Sequence, residues 1–159
     1  MLDIILAIKF VHMLAVAVMF GTWLCIAVFM LLAHGSGNTA VVALTSRFVV
    51  RAETMLMAAA MALQPISGFP LAWAIGLSPL GEFWIVLSLA IYAAVVAAWL
   101  AIVGIEMRMR NITQEAALSG APLPDAYRRL FRLWSVLAVP ILAGMIAVMA
   151  LMIWQPQWS

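Results

Sequence analysis

Of the side chains in this sequence, the two histidines are the best suited to binding a metal ion or a cofactor, and His12 is the more informative of them. It lies in an apolar stretch from Leu2 to Ala33, where Asp3 and Lys9 are the other ionisable residues. An ionisable side chain at membrane depth is costly without a partner, so it marks a candidate functional site. Two uses of this imidazole remain open: a hydrogen bond to another helix, or coordination of a haem iron between helices.

Helical spacing places bulky and polar side chains on one face of this stretch. Within about 40° of one line at 100° per residue lie His12, Val16, Met19, Trp23, Met30 and His34. Such a mixed face belongs inside a bundle. His34 lies roughly 33 Å further along the helix, so the two histidines cannot share one cofactor. We expect His34 at the interface, near the end of the helix.

The second hydrophobic stretch contains the segment Gln64-Pro65-Ile66-Ser67-Gly68. Pro65 frees a backbone carbonyl one turn earlier, and Gln64 adds an amide at a similar depth. This polar segment could line a ligand cavity, because irregular backbone at membrane depth must be buried or hydrated, or it could be a simple kink. Both interpretations stay open. We expect Glu53, near the start of this stretch, to pair with an arginine of the third or fourth helix.

Other chemistry finds little support. Zinc sites use three or four convergent ligands, and the histidines here are far apart, without neighbouring acids. The 12 methionines are scattered, which indicates packing rather than copper binding. Cys25 is predicted to be a buried packing thiol. No phosphate-binding loop, nucleophile elbow or carboxylate pair indicates hydrolysis or phosphoryl transfer.

The composition identifies an integral membrane protein: 68% of the residues are hydrophobic, 9% are charged, and the mean hydropathy is +1.18. The net charge of +2 is too small to indicate nucleic-acid binding. We predict one all-α transmembrane domain, 1–159, a four-helix bundle with spans at about 2–33, 45–75, 82–105 and 129–154. The first span is too long for a cleaved signal peptide.

Local signals refine these helices. Asn38 or Thr39 is expected to cap the second helix, and Asp125 to cap the fourth. Pro65 and Pro70 predict a kink or break in the second helix, and Pro140 predicts a bend in the fourth.

The arginines predict the orientation, because they flank two of the three connections. The positive-inside rule places both of these in the cytoplasm and both termini outside, across a bacterial inner membrane. Anionic lipids are the expected partners of five of them: Arg108, Arg110, Arg128, Arg129 and Arg132. Tryptophans are expected to form aromatic belts, with Trp73, Trp84, Trp154 and Trp158 at the outer interface and Trp99 and Trp134 nearer the inner one.

The sequence also resembles two groups of membrane proteins. Lys9-Phe10-Val11-His12, Gly21, the segment 64–68 and the segment 127–134 resemble a bacterial family of predicted integral membrane proteins of unknown function. This resemblance covers nearly the whole chain and implies four helices in the bacterial inner membrane.

A more distant resemblance is to the HemJ type of protoporphyrinogen oxidase. That family shares the Lys-x-x-His first helix, a histidine near the inner end of this helix and a second helix interrupted by Pro and Gly. The resemblance implies that His12 is tied to haem b and that His34 corresponds approximately to the inner histidine. The family's important third-helix lysine falls near Ser88, and this helix has no lysine, so the resemblance does not extend to the oxidase activity.

Taken together, these features predict a b-type haem protein with a redox or haem-linked role. His12 would be an axial iron ligand, with Lys9, Met19, Gln64 and Ser88 as further cofactor-binding candidates, in a homodimer or a larger membrane complex. The alternative is a non-enzymatic protein: an accessory subunit, or a small-molecule carrier or channel. The residues that could line its polar path are Lys9, His12, Gln64, Ser67 and Ser88.

Overall fold

The computed structural model describes residues 2–156, which form helices joined by short turns. The helices are α1 (Leu2–Gly35), α2 (Thr39–Ala52), α3 (Ala58–Ala74), α4 (Phe83–Leu118) and α5 (Asp125–Trp154). A π-helical turn, Glu53–Met57, joins α2 to α3, so Thr39–Ala74 forms one long helical segment. Four segments are long and apolar enough to cross a membrane, as predicted. The fold is therefore an all-α bundle of four candidate spans.

The ends of the helices follow from local chemistry. The Asn38 side chain caps α2 by accepting hydrogen bonds from the backbone N–H groups of Ala40 and Val41. The prediction that Asp125 caps α5 was wrong. Pro124 is the capping residue and makes no side-chain hydrogen bond, whereas Asp125 is the first helical residue and lies 3.7 Å from the Arg128 guanidinium. A carboxylate there still favours the helix N-terminus electrostatically.

The prolines of α3 do not break it. The helix is continuous through Pro65 and Pro70, so the predicted break is absent. Pro65 has no N–H to donate to the Met61 carbonyl one turn earlier, and the Tyr92 hydroxyl of α4 donates to that carbonyl instead. The departure from α-helical geometry lies earlier, at Glu53–Met57, where the Ala58 N–H bonds the Glu53 carbonyl.

The helices pack unevenly along the bundle. α4 packs mainly against α5, α3 mainly against α1, and α2 packs against both α1 and α4. We call the end that carries the seven arginines the arginine end, and the end that carries both termini and the turn between α3 and α4 the terminal end. The main apolar core includes Trp23, Met30, Ile102, Met109 and Trp134. At the terminal end, a smaller cluster of Ala72, Trp84 and Ile85 links α3 to α4.

Two groups of side-chain predictions need correction. Cys25 is exposed rather than buried, because it lies two residues beyond the buried Trp23 and therefore faces the opposite side of α1. Among the tryptophans, Trp73 and Trp154 are exposed at the terminal end, as a belt requires.

Three other tryptophans do not fit the predicted aromatic belts. Trp84, Trp99 and Trp134 are buried and do not belong to a lipid-facing belt. Trp158 lies outside the described residues.

Candidate functional site

His12 contacts the polar segment of α3. The Nδ1 atom of His12 lies 2.8 Å from Ser67 Oγ, and Gln64 Nε2 donates a 3.4 Å hydrogen bond to the His12 carbonyl oxygen. These three residues, with Gly68, form what we call the His12 site. The structure thus brings together the predicted histidine, glutamine and serine. It also gives the polar part of α3 a use, namely to hold α1.

The hydrogen-bond network assigns the position of the proton on the His12 ring. The Ser67 hydroxyl donates to the Leu63 carbonyl at 2.5 Å, so its single proton is already used. Its oxygen is then an acceptor for His12 Nδ1–H. A neutral ring with its proton on Nδ1 has a free lone pair on Nε2, which is the arrangement of a metal-ligating histidine whose other nitrogen is held by an oxygen.

The His12 ring is not fully enclosed. The residue is half-buried between α1 and α3. Besides Ser67 Oγ, the backbone of Gln64 lies within hydrogen-bonding reach of the ring.

Gly68 packs against the His12 ring. A Cβ atom built on Gly68 would lie 3.2 Å from His12 Cε1 and 3.7 Å from His12 Nδ1. This is tighter than a normal van der Waals contact, so the imidazole position depends on the absence of a side chain here. Sequence reasoning included Gly68 only as part of a helix-breaking segment.

Other predicted cofactor residues lie elsewhere. Met19 is buried in the main core two turns from His12, and Ser88 is buried in α4, where its hydroxyl bonds the Trp84 carbonyl. Lys9 is exposed one turn from His12. The polar path expected for a carrier is therefore reduced to His12, Gln64 and Ser67. Within the described residues, no group of three or more His, Cys, Asp or Glu side chains could hold a metal ion.

His34 lies at the arginine end of α1, as expected. Its ring stacks on Phe131 with centroids 3.8 Å apart and lies 5.7 Å from the ring of Tyr127. Its Nδ1 atom is enclosed and has no hydrogen-bond partner among the described residues. The histidine therefore joins α1 to α5 by ring packing.

Two glutamates form a second polar site that sequence reasoning missed. Glu53 was expected to meet an arginine, and that prediction was wrong: its Oε2 accepts a hydrogen bond from the Trp99 indole N–H at 2.5 Å. Glu106 Oε1 accepts an equivalent bond from the Trp134 indole N–H at 2.8 Å. Both carboxyls are buried, with 0% and 1% of the residue surface exposed.

We call Glu53, Glu106, Trp99 and Trp134 the glutamate site. It joins the π turn, α4 and α5 at the arginine end of the core. A signal for this site was present in the sequence, because Trp99 and Glu106 are seven residues, or two helical turns, apart and share a face of α4. Arg110, one turn from Glu106, bonds Asn111.

The surface of the arginine end has one further feature. A cavity of about 410 Å³ between α4 and α5 is lined by Arg108, Asn111 and Arg129 together with Ile112, Ala126 and Leu130. A second cavity, of about 420 Å³, lies at the terminal end beside Trp73 and Pro79. His12 lines neither of them.

Comparison with known proteins identifies a family. Residues 6–156 match a family described as "Predicted integral membrane protein (DUF2269)". No curated protein and no solved structure matches the chain, so the more distant resemblance to the HemJ-type oxidases is not shown.

Proposed function

Because the chain belongs to the family of predicted integral membrane proteins (DUF2269), whose description names no activity, we propose a function from the His12 site. The protein is a multi-pass protein of the bacterial inner membrane that binds b-type haem, with His12 Nε2 as an axial ligand. It serves a redox or haem-linked role.

The observation that carries this proposal is the hydrogen bond between His12 Nδ1 and Ser67 Oγ. Ligating histidines almost always donate their other ring N–H to an oxygen, which fixes the tautomer and the ring orientation. A histidine that served only as a structural link would make the same bond, and the visible spectrum of the His12 variant distinguishes the two roles. The donor set therefore fits an axial ligand.

The neighbouring residues have distinct roles in this proposal. Gln64 holds the His12 backbone against α3, and Gly68 leaves room for the ring. Lys9, exposed one turn away, supplies a cation for the propionate carboxylates of the cofactor. Bound haem supplies one-electron redox chemistry whose potential depends on the axial ligand and the surrounding dielectric.

A second axial ligand is not evident at the His12 site. Met19 and Ser88, the other candidates, are buried away from it. Five-coordinate iron, or a ligand from a second copy or another subunit, follows. Because His12 is only half-buried, a homodimer through this face is part of the proposal.

The visible absorption spectrum of protein purified after expression with adequate haem supply tests the proposal. We expect a Soret band in the wild type and in His34→Ala, which is the matched control because it removes the other histidine. We expect its loss in His12→Ala. Absence of the band from folded wild-type protein would remove the cofactor, and a band unchanged in His12→Ala would remove the ligand assignment.

The arginines support an orientation with the arginine end in the cytoplasm. Arg108 and Arg129, both exposed, line the cavity between α4 and α5, where a lipid phosphate would find two guanidinium groups. We propose that anionic lipid headgroups occupy this surface, with Arg110, Arg128 and Arg132 nearby. Lipid binding that is weakened by salt and by Arg108→Gln would support this.

A further inference from the structure

The polar atoms that lack partners are concentrated at the arginine end of the bundle. Four enclosed side-chain atoms in residues 2–156 have no hydrogen-bond partner: His34 Nδ1, Glu53 Oε1, Glu106 Oε2 and Tyr127 Oη. An unpaired buried polar atom destabilises the folded protein, and more so when the group is charged. Four of them in one region indicate that the region takes up a ligand that the protein atoms alone do not provide.

In each glutamate of the glutamate site, only one of the two carboxyl oxygens has a hydrogen-bond partner. One carboxyl oxygen accepts an indole N–H, and the other oxygen has no partner. Neither carboxyl has a cationic partner, since the ion pair found among the described residues joins Asp125 to Arg128. Each of these two buried carboxyls therefore has one free oxygen and no cation beside it.

The charged and titratable groups around these two carboxyls do not supply a cation. Exposed arginines on α2, α4 and α5 face outward: Arg47, Arg51, Arg108, Arg128, Arg129 and Arg132. Arg110 is half-buried and bonds Asn111. On α1 the buried face here consists of Trp23, Ile26 and Met30, and His34 follows at the helix end. On α5 the buried titratable group is Tyr127.

A proton is the positive charge that fits this site best. An ionised carboxylate that is buried without a cation is strongly disfavoured, so a carboxyl in such a place holds a proton. Metal ions need more ligands: calcium takes six to eight oxygen atoms and zinc about four ligands. Glu53 and Glu106 have no third acidic, histidine or cysteine ligand beside them in the described part of the chain.

We propose that Glu53 and Glu106 form a buried proton-binding site that exchanges its proton with the solvent at the arginine end. On release, the proton passes to water and leaves a carboxylate, which the indole N–H groups of Trp99 and Trp134 stabilise by hydrogen bonds. On uptake, water supplies the proton to the same oxygen. This inference is independent of the haem proposal, because it uses none of the residues of the His12 site.

The helix register suggests the route. The Trp134–Glu106 bond fixes the antiparallel alignment of α5 on α4, and this alignment places Tyr127 level with Thr113. Thr113 is 0% exposed, and Tyr127 lies beside His34 at the bundle end. Unpaired atoms of Tyr127 and His34 thus lie between the glutamate site and the arginine-end surface, where bound waters would satisfy them. The π turn that begins at Glu53 is a further sign, because such turns are frequent at functional sites.

Infrared spectroscopy of the purified full-length protein tests the proposal. At neutral pH the wild type should show the C=O stretching band of a protonated carboxyl, and the band should move to lower frequency in D2O. Glu53→Gln and Glu106→Gln should each remove or shift this band. Glu115→Gln, which changes an exposed carboxyl on the same helix, is the matched control and should leave it unchanged.

Two further measurements keep the test decisive. Trp134→Phe removes a hydrogen bond to Glu106 but keeps the carboxyl, so this variant should shift the band. It provides the test if a glutamine variant does not fold. The D2O shift should be complete before the amides of the helix core exchange, and Tyr127→Phe should slow it. A wild type without the band, a band insensitive to the Gln and Phe variants, or exchange only together with the core amides would overturn the proposal.

Discussion

Ser67 Oγ lies 2.8 Å from His12 Nδ1, although the two residues are 55 positions apart in the sequence. The serine also donates to the carbonyl of Leu63 in its own helix. A serine in a transmembrane helix commonly makes only this second bond. Here the same oxygen also accepts from a histidine on another helix, so one hydroxyl fixes both the orientation of the imidazole and its tautomer.

Replacement of this serine tests its orienting role. In Ser67→Ala the His12 Nδ1–H loses its acceptor, and haem affinity should fall about 10–100-fold, the usual effect of removing such a partner of a metal ligand. A haem titration followed at the Soret band measures this. Ser135→Ala is the control, because Ser135 makes the same backbone bond, to Phe131, without contacting a histidine. Equal affinity of Ser67→Ala and wild type would contradict the assigned role.

Gly68 offers a steric test of the same site. Gly68→Ala would place a methyl group 3.2 Å from His12 Cε1, so the ring must shift by a few tenths of an ångström. We expect a shifted Soret maximum or weaker haem binding with the helical content preserved. Gly21→Ala, on α1 with nothing within 4 Å of the added atom, should bind haem as the wild type does. A Gly68→Ala spectrum and affinity identical to those of the wild type would show that the ring position does not matter.

The sequence predicted the helices better than the sites because hydrophobic length alone determines a span. Asn38 also has a local signature, since its cap depends on the next three residues. Glu53 does not. Its partner, Trp99, is 46 positions away, and the choice between an arginine and an indole depends on how α2 packs against α4. Trp134 was assigned to the membrane interface because a single sequence does not distinguish a tryptophan of an aromatic belt from a buried one.

His12 shows which part of a site the sequence predicts and which part requires the packed structure. Its position deep in an apolar stretch was enough to mark it as a candidate functional residue, because an ionisable group at membrane depth is costly without a partner. Its partner could be named only as a possibility, since Ser67 and Gln64 lie on another helix. The side chain that sets its tautomer is visible only once α1 and α3 are packed together.

Gly144 should be the most sensitive glycine of the α4–α5 interface. A Cβ atom on Gly144 would lie 2.5 Å from Val95 Cγ2, so Gly144→Ala forces the two helices apart or moves a β-branched side chain. We expect a loss of about 1–3 kcal/mol in the free energy of unfolding. Denaturation in detergent, followed by circular dichroism, measures this loss.

Two variants serve as controls for Gly144→Ala. Gly104→Ala, in the partner helix α4, meets nothing within 4 Å and should be neutral or slightly stabilising, because alanine favours the helix. The double variant Gly144→Ala with Val95→Ala should recover part of the lost stability, since the clashing methyl groups are gone. A Gly144→Ala protein as stable as Gly104→Ala would contradict this account of the interface.

Orientation can be tested with single cysteines at the two ends of the bundle. Cys25 is exposed on α1, so Cys25→Ala provides the background. Ser78→Cys places a thiol in the turn between α3 and α4 at the terminal end, and Ser119→Cys places one between α4 and α5 at the arginine end. Because positively charged connections stay in the cytoplasm, a membrane-impermeant maleimide added to spheroplasts should label Cys at position 78 and not at position 119. Permeabilised membranes, in which both positions should react, provide the control for accessibility. The reverse labelling pattern in intact spheroplasts would place the arginine end on the outer side of the membrane. The solvent access to Glu53 and Glu106 would then also lie on that side.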